Sequence, residues 1–511
     1  MTEETPVLDG RRSIASNTIL SLLSQIAGAV FTAALTIFLT RRLGSHGYGI
    51  LALALGVFGL ALLPSDFGVS YALARFVADH RDDRPRLLNV IADGLRLKFL
   101  AGVVVSALLF ALASPIAGWY HLPALTWPIR GVSIALFGQS MMFVNSVFTA
   151  VGRVDLQMRT VLIEGAVQCA AAIGLVLAGA GVTGAAFGWG IGYVSGAVAT
   201  IVLLVRLLGP QILPRAARFG ADARRISGYA GVLLIVEGAF SIFNQIDVFI
   251  IGAFLGASSV GIFSAPVQMI VFLSYPGLAI ASGVAPRLSR VSEGGPNARA
   301  FAVGVRVMLI VQSAIAALVL GWAGLMVHVG LGSRFGGSVD VLRALAPFVF
   351  LNGLGALVSI SANYLGEASS RLPVALCTVA INLALDLILV PRLGVLGGAA
   401  GTDVAYLLYA PAHLCICQRV LRIDLRPAAL TFLRAGLAGA LMTGVLFYFG
   451  DSIVLSRIPR TALGGALGIG IFVLTLYLSG EVTGADLRAA RGVVRLRRRP
   501  IPAARRGGAR R

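Results

Sequence analysis

One lysine, Lys98, serves all 511 residues, acidic residues number only 22, and charged residues of every kind make up 13%. A soluble domain carries about 25% charge, so this deficit excludes an ordinary soluble globular chain. Cysteine is almost as scarce, with four in the chain. Cys169 and Cys377 are isolated; Cys415 and Cys417 lie near His413, but i+2 neighbours project to opposite sides of a helix and no fourth ligand is close. Neither a disulfide framework nor a metal centre is predicted. The chain also lacks a long polar stretch between its apolar runs, and no outer connection exceeds roughly a dozen residues. That leaves little room for the exposed catalytic region of a membrane glycosyltransferase or polymerase, and no catalytic residue is assigned.

What is present is hydrophobic: 57% of residues are apolar and the mean hydropathy is +0.88. Runs long enough to cross a ~30 Å hydrocarbon core as helices recur at about 17–39, 47–77, 99–118, 130–151, 161–180, 182–205, 229–254, 260–285, 303–330, 341–365, 373–390, 395–418, 428–449 and 461–479. The expected fold is an all-α polytopic membrane protein of about fourteen spans. Residues 1–16 are polar, and the first span is too long for a signal peptide and has no A-x-A cleavage site, so it is expected to stay.

The net charge of +20 does not form a nucleic-acid patch; basic residues punctuate the spans. With the N-terminus inside, 34 of the 42 fall on the inner side and 8 on the outer. This positive-inside bias places both termini in the cytoplasm. The Arg-rich tail, 480–511, is expected to meet anionic inner-leaflet lipid.

An internal repeat is legible. An offset of 212 aligns Leu43-Gly44 with Leu255-Gly256, Gly49-Ile50 with Gly261-Ile262, Pro64 with Pro276 and Arg75 with Arg287. At 213, Gly181-Val182, Gly184, Gly188 and Tyr193 meet Gly394-Val395, Gly397, Gly401 and Tyr406. We read two six-helix halves, 17–205 and 229–418, joined by a basic linker, 206–228, and followed by two further spans within 428–479. Both halves enter the membrane in the same direction, so a pseudo-two-fold axis along the membrane normal is expected, with a substrate cavity between them.

An ionised group inside a span costs about 2.5–3.5 kcal/mol on insertion scales and calls for a partner, a cavity or a function. Glu237, Ser241 and Asn244 share one face of the seventh span, expected to look into the cavity; the alternative is an interhelical hydrogen-bond cluster. Asp247 lies two turns further out, where water is the simpler explanation. Thr378, Asn382 and Asp386 form an i+4 stripe on the eleventh span and Asp403 sits mid-span in the twelfth, as lumen wall or as packing glue. Glu237, Asp247, Asp386 and Asp403 are the candidate ion-coupling acids; Asp66, Asn244 and Asn382 are candidate substrate-binding residues. Pro64 and Pro276 break matching spans and are candidate hinges. Asp66-Phe67-Gly68 has no kinase context, and Gly188, Gly190 and Gly192 follow no strand, so they are read as close-packing glycines.

The stretches LTRRLGSHGYGILALALG, PSDFGVSYALARF, NQIDVFIIGAFLGASSVGIFSAPVQM, VAPRLSRV and INLALDLILVPRLGVLGGAAGT together resemble Wzx-type polysaccharide flippases of the multidrug/oligosaccharidyl-lipid/polysaccharide exporter superfamily. The resemblance covers residues 14 to about 418 and implies a V-shaped pair of bundles working by alternating access. It also implies two extra helices that in some relatives hold a lipid tail, and a polyprenyl-diphosphate-linked oligosaccharide carried from the inner to the outer leaflet of a bacterial plasma membrane. Arg75 and Arg287, equivalent in the two halves, are then candidates to receive the diphosphate, or else simple topology signals. No cofactor is expected; the expected partners are the lipid-linked oligosaccharide, anionic lipid and polysaccharide assembly machinery, not nucleic acid. The alternatives are a drug/cation antiporter of the same superfamily, which wants an acidic aromatic pocket, and a sugar-polymer ligase or polymerase.

Overall fold

A helix rises 1.5 Å per residue, so about 20 residues cross the ~30 Å core and an apolar helix much longer than that has to turn back. The computed structural model describes residues 14–66, 69–70, 73, 76–77, 83–212, 221–284, 288, 296–450 and 458–482; the side chains of 14–16, 18–19, 211, 221–237, 282, 296–297 and 368 lie outside that description. Among the described residues there is no strand, and twelve helical stretches are long and apolar enough to cross a membrane. Two of the twelve, of 47 and 55 residues, fold back on themselves.

The first is α1 (Ile14–Asp66), which turns at Gly44 with φ 69° and ψ −177°. Two arms result, 14–43 and 45–66. Gly256, between α7 (Ala221–Leu255) and α8 (Ala257–Leu273), has nearly the same angles, φ 80° and ψ 178°. A side chain at either position would be strained in this left-handed region, which is why glycine recurs there at the offset of 212. The second folded-back stretch contains α5 (Val154–Leu175) and α6 (Gly181–Leu208). Gly188, Gly192 and Gly196 of α6 meet Ala172, Gln168 and Glu164 of α5, so each step of four up one helix matches a step of four down the other. These are close-packing glycines in an antiparallel pair.

The remaining helices are α2 (Arg84–Trp119), α3 (Thr126–Met141), α4 (Val144–Ala150), α9 (Tyr275–Val284), α10 (Pro296–Gly330), α11 (Ser338–Ala344), α12 (Ala346–Tyr364), α13 (Ala368–Leu393), α14 (Val395–Leu421), α15 (Arg426–Phe449) and α16 (Ile458–Leu478). Pro64 lies within the second arm of α1, two residues before its end, whereas Pro276 is the second residue of α9, beyond a break at Ser274. The first removes a helix-interior donor; the second occupies a first-turn position that proline tolerates.

The second arm of α1 and α8 cross at their starts without side chains between them. A methyl group on Gly49 would overlap the Ala257 carbonyl oxygen, and one on Gly261 would overlap that of Ser45. The contact is reciprocal: positions 45 and 257, and 49 and 261, are related by the sequence offset. His46 Nδ1 and Ser258 Oγ, another such pair, lie 3.3 Å apart. Around this crossing a single apolar cluster draws on residues from both sides of the 206–228 stretch, from Leu39, Leu51 and Ile129 to Ile251, Phe263 and Phe335. Away from it the core divides. Leu73, Ile91, Phe148 and Leu204 form one cluster; Phe301, Met308, Leu357 and Tyr406 form another. The two bodies are thus joined by a common core at one end and have separate cores at the other.

α15 and α16 pack on α10 through Ala317, Met442, Leu446, Phe472 and Leu476. Just past α16, the buried Glu481 carboxylate accepts Arg306 Nε–H of α10 at 2.7 Å, and Thr431 Oγ–H and Arg434 Nη1–H of α15 at 2.7 and 3.1 Å. Burial pushes the Glu481 carboxyl up, but the bonds from Arg306, Thr431 and Arg434 outweigh it and hold it below the usual glutamate range.

Candidate functional site

Three helices of the second half, α7, α13 and α14, bring Asp247, Asn382, Asp386 and Thr402 together. Asn382 Nδ2 donates to Asp247 Oδ1 at 3.1 Å and Thr402 Oγ1 donates to Asp247 Oδ2 at 2.8 Å. The Asp386 carboxyl lies against that of Asp247. Among the described residues no donor reaches either Asp386 oxygen or Asn382 Oδ1, although Asn382 and Asp386 have no accessible surface at all. A methyl group on Gly401 would overlap Asp386 Oδ1, so the glycine makes room for the carboxyl. The site lies eight residues before the end of α7 and seven before that of α13, about 11 Å from the Gly256 end at a helical rise.

Two buried carboxylates with no basic side chain bonded to them cannot both stay ionised unaided. They share a proton or they enclose a cation. The unfilled acceptors are all oxygens, from Asp386 and Asn382, a donor set for a hard cation and not for a soft metal.

The first half treats its buried charge differently. Lys98 of α2, 2% exposed, forms an ion pair with Asp66 at the end of α1, and Asp66 also accepts a hydrogen bond from Ser70. The ammonium stands 5.8 Å from the centre of the Phe143 ring. Lys98 lies 21 residues before Trp119, the end of α2, about 32 Å along the helix and so at the far side of the hydrocarbon core from the Gly44 turn.

The other sequence candidates are dispersed. Asn244 is exposed and its Nδ2 donates to the Phe240 carbonyl at 2.9 Å, while Ser241 Oγ donates to the Gly59 carbonyl of α1 at 3.3 Å. Asp403 accepts the Phe348 backbone N–H at 2.8 Å, supplying from α14 one of the acceptors that the first turn of α12 lacks. Arg75, Arg287 and the side chain of Glu237 lie outside the described residues. The sequence reading passed over Thr402 and Gly401 as site residues and gave Lys98 and Glu481 no role. For Lys98 the signal was available: it is the one lysine among 42 basic residues.

A lipid-like groove runs alongside. Between α10, α12, α14 and α15 lies a cavity of about 980 Å³ whose walls include Leu309, Leu320, Phe350, Leu414 and Phe432. With almost no polar lining, it suits a hydrocarbon chain.

Comparison with known proteins places these features in context. The family described as polysaccharide biosynthesis protein matches residues 14–292. A Shigella flexneri protein assigned as an O-antigen transporter is 22% identical over 384 residues, covering 73% of this chain and 90% of its own. A Haloferax volcanii protein assigned as a low-salt glycan biosynthesis flippase is 20% identical over 478 residues, 91% of this chain and 96% of its own. Among solved structures, the lipid II flippase MurJ in an inward closed conformation superposes with a TM-score of 0.72 at 11% identity, covering 90% of this chain and 98% of that one. An inward-facing multidrug resistance MATE transporter of the MOP superfamily gives 0.64 at 16% identity, covering 78% and 96%. The fold is therefore the one these transporters share.

Proposed function

Because the chain belongs to the polysaccharide biosynthesis protein family, we propose that it is a flippase moving a polyprenyl-diphosphate-linked oligosaccharide from the inner to the outer leaflet of a plasma membrane. It makes and breaks no covalent bond. The observation that carries the reading is the division of the core: one cluster shared at the Gly49–Gly261 crossing, two separate clusters beyond it. Two bodies joined at one end only can rock about the joint, opening a central cavity to one side at a time.

The charge bias puts both termini in the cytoplasm and the crossing at the outer side, so this conformation is closed to the outside. The sugar and diphosphate occupy the space between the halves while the polyprenyl tail stays in lipid, with the groove beside α15 as its support. The carboxylate pair supplies the coupling: a cation or proton entering from outside neutralises it and favours one arrangement of α7, α13 and α14, because only differential binding shifts a conformational equilibrium. Anionic lipid at the Arg-rich tail and the polysaccharide assembly machinery are further partners of the same reading. A drug/cation antiporter would use the carboxylates equally well, but the family match and the apolar groove favour the lipid-linked substrate.

The test is the sidedness of the precursor. In a deletion strain, lipid-linked precursor should accumulate facing the cytoplasm and become accessible to a glycan-modifying reagent only when the chain is restored. Precursor already on the outer face of the deletion strain, with no redundant transporter, would refute the reading.

A further inference from the structure

The seam between α13 and α14 that holds the carboxylates carries a second charged group at its other end. Arg371 stands eleven residues before Asn382 on α13, and His413 stands eleven residues after Thr402 on α14. Eleven residues are three turns plus about 20°, so the four side chains lie on the facing sides of two antiparallel helices. His413 is fully buried, and its Nδ1–H donates to the Tyr409 carbonyl at 2.9 Å. That bond assigns Nε2 as an acceptor, and Arg371 Nε–H reaches it at 3.4 Å. From α12, Ser359 Oγ accepts Arg371 Nη2–H at 2.6 Å and Asn363 Oδ1 accepts Nη1–H.

All three acceptors are neutral. Glu367, one turn earlier, accepts Ser370 Oγ–H instead, and among the described residues no carboxylate pairs with Arg371. The guanidinium is permanently charged and carries five N–H donors. Here it is oriented from three sides, not neutralised, with two donors beyond those three bonds. A helix-end arginine that only marked topology would need no such cradle. Arg371 lies 22 residues before Leu393, the end of α13, about 33 Å along the helix. That is the depth of Lys98 in the first half, and the level of lipid phosphates beyond a ~30 Å core.

We propose that Arg371 receives the diphosphate of the transported lipid at the cytoplasmic mouth of the second half. The assignment rests on the flippase reading. It places an anion site and the carboxylate site at two ends of one helix pair, about four turns apart, so that α13 and α14 respond to both ligands. A phospholipid phosphate offers the same chemistry from a different source, and the experiment separates the two.

Full-length protein in phosphatidylcholine nanodiscs would be titrated with geranylgeranyl diphosphate, with uncharged geranylgeraniol as control, and in parallel studied in discs doped with phosphatidic acid. Wild type should prefer the diphosphate to the alcohol. Arg371→Gln should weaken the diphosphate by about tenfold or more and leave phosphatidic acid retention unchanged. Arg371→Lys, which keeps the charge but loses the planar fork, should fall between. Should Arg371→Gln prove unfoldable, Arg371→Lys and the double variant Ser359→Ala/Asn363→Ala, which keeps the guanidinium but removes its cradle, should each still weaken the diphosphate selectively. Equal loss of phosphatidic acid would reassign Arg371 to bulk phospholipid and overturn the proposal. So would unchanged diphosphate affinity in folded variants. A wild-type protein that did not distinguish diphosphate from alcohol would count against the flippase reading itself, whereas wild-type preference with unaffected variants would sink Arg371 alone.

Discussion

The two halves bury charge in opposite ways. In the first, Asp66 has Lys98 as an internal counter-ion; in the second, Asp247 and Asp386 face each other, and the donors to them among the described residues are neutral. A neutralised pair is complete within the protein and resists change. An unneutralised pair is complete only when something arrives from outside. Segments that share a turn geometry at Gly44 and Gly256 thus differ in their buried chemistry, and in the second the Asp386 oxygens are left without a donor among the described residues.

The largest effect should come from removing that unneutralised pair. Asp247→Asn or Asp386→Asn should lower ion-driven transport in proteoliposomes by about 10- to 100-fold, the scale of losing a charge-assisted contact. In wild type, saturating cation should stabilise the fold by about 2.7 kcal/mol at a hundred times its Kd. Thermal melts in sodium, in choline and across pH would show that increment and its loss in the variants. Equal melts and undiminished transport would remove the distinction between the halves.

Breaking the first-half pair should act on stability instead. Lys98→Met leaves Asp66 uncompensated; a broken buried pair costs about 3–5 kcal/mol, less here because Asp66 keeps a third of its side chain exposed. Adding Asp66→Asn should recover most of that loss. Asp386→Asn, by contrast, removes a like-charge conflict and should be neutral or stabilising without cation. If both substitutions destabilise equally, the contrast in buried charge is not what separates the halves.

The shared feature should give a smaller effect. Gly49→Ala or Gly261→Ala puts a methyl group into the neighbouring carbonyl, at about 1–3 kcal/mol of overpacking, and should disfavour the closed end. The readout is oxidative cross-linking of a His46→Cys/Ser258→Cys pair, expected to slow in either glycine variant. Cross-linking at the wild-type rate would show that the crossing is not the joint.

Smallest of all should be Glu481→Gln, about 1–2 kcal/mol, since Arg306 and Arg434 are each about 40% exposed and screened by water. The folded carboxyl lies below its unfolded value, so its contribution is present above the ordinary glutamate range and disappears as pH falls through the depressed value. Acid melts of wild type and Glu481→Gln should converge only below that range; convergence near neutral pH would show that the bonds from Arg306, Thr431 and Arg434 do not hold the Glu481 carboxyl.

Hydropathy and charge alone made the membrane-spanning helices legible, because lipid leaves a chain few other options. Gly44 and Gly256 could be matched in the sequence for the same reason that they turn alike. The site was legible only in pieces. Asn382 and Asp386 appeared as an i+4 stripe because they share a helix, but Asp247 is 135 residues from Asn382 and 155 from Thr402, and periodicity within one helix carries nothing about which face another helix presents. Thr402 was invisible because a threonine in an apolar span costs little by itself. Asp403 drew attention as a charge in a span, yet its bond to Phe348 depends on where α12 begins in space.

The solitary Lys98 has one more consequence. Amine-reactive reagents find a single side-chain target in the chain, shielded by the protein and tied to Asp66. Its rate of acylation therefore reports how often the first half opens at that point, read as one modified peptide by mass spectrometry with no competing lysine to subtract.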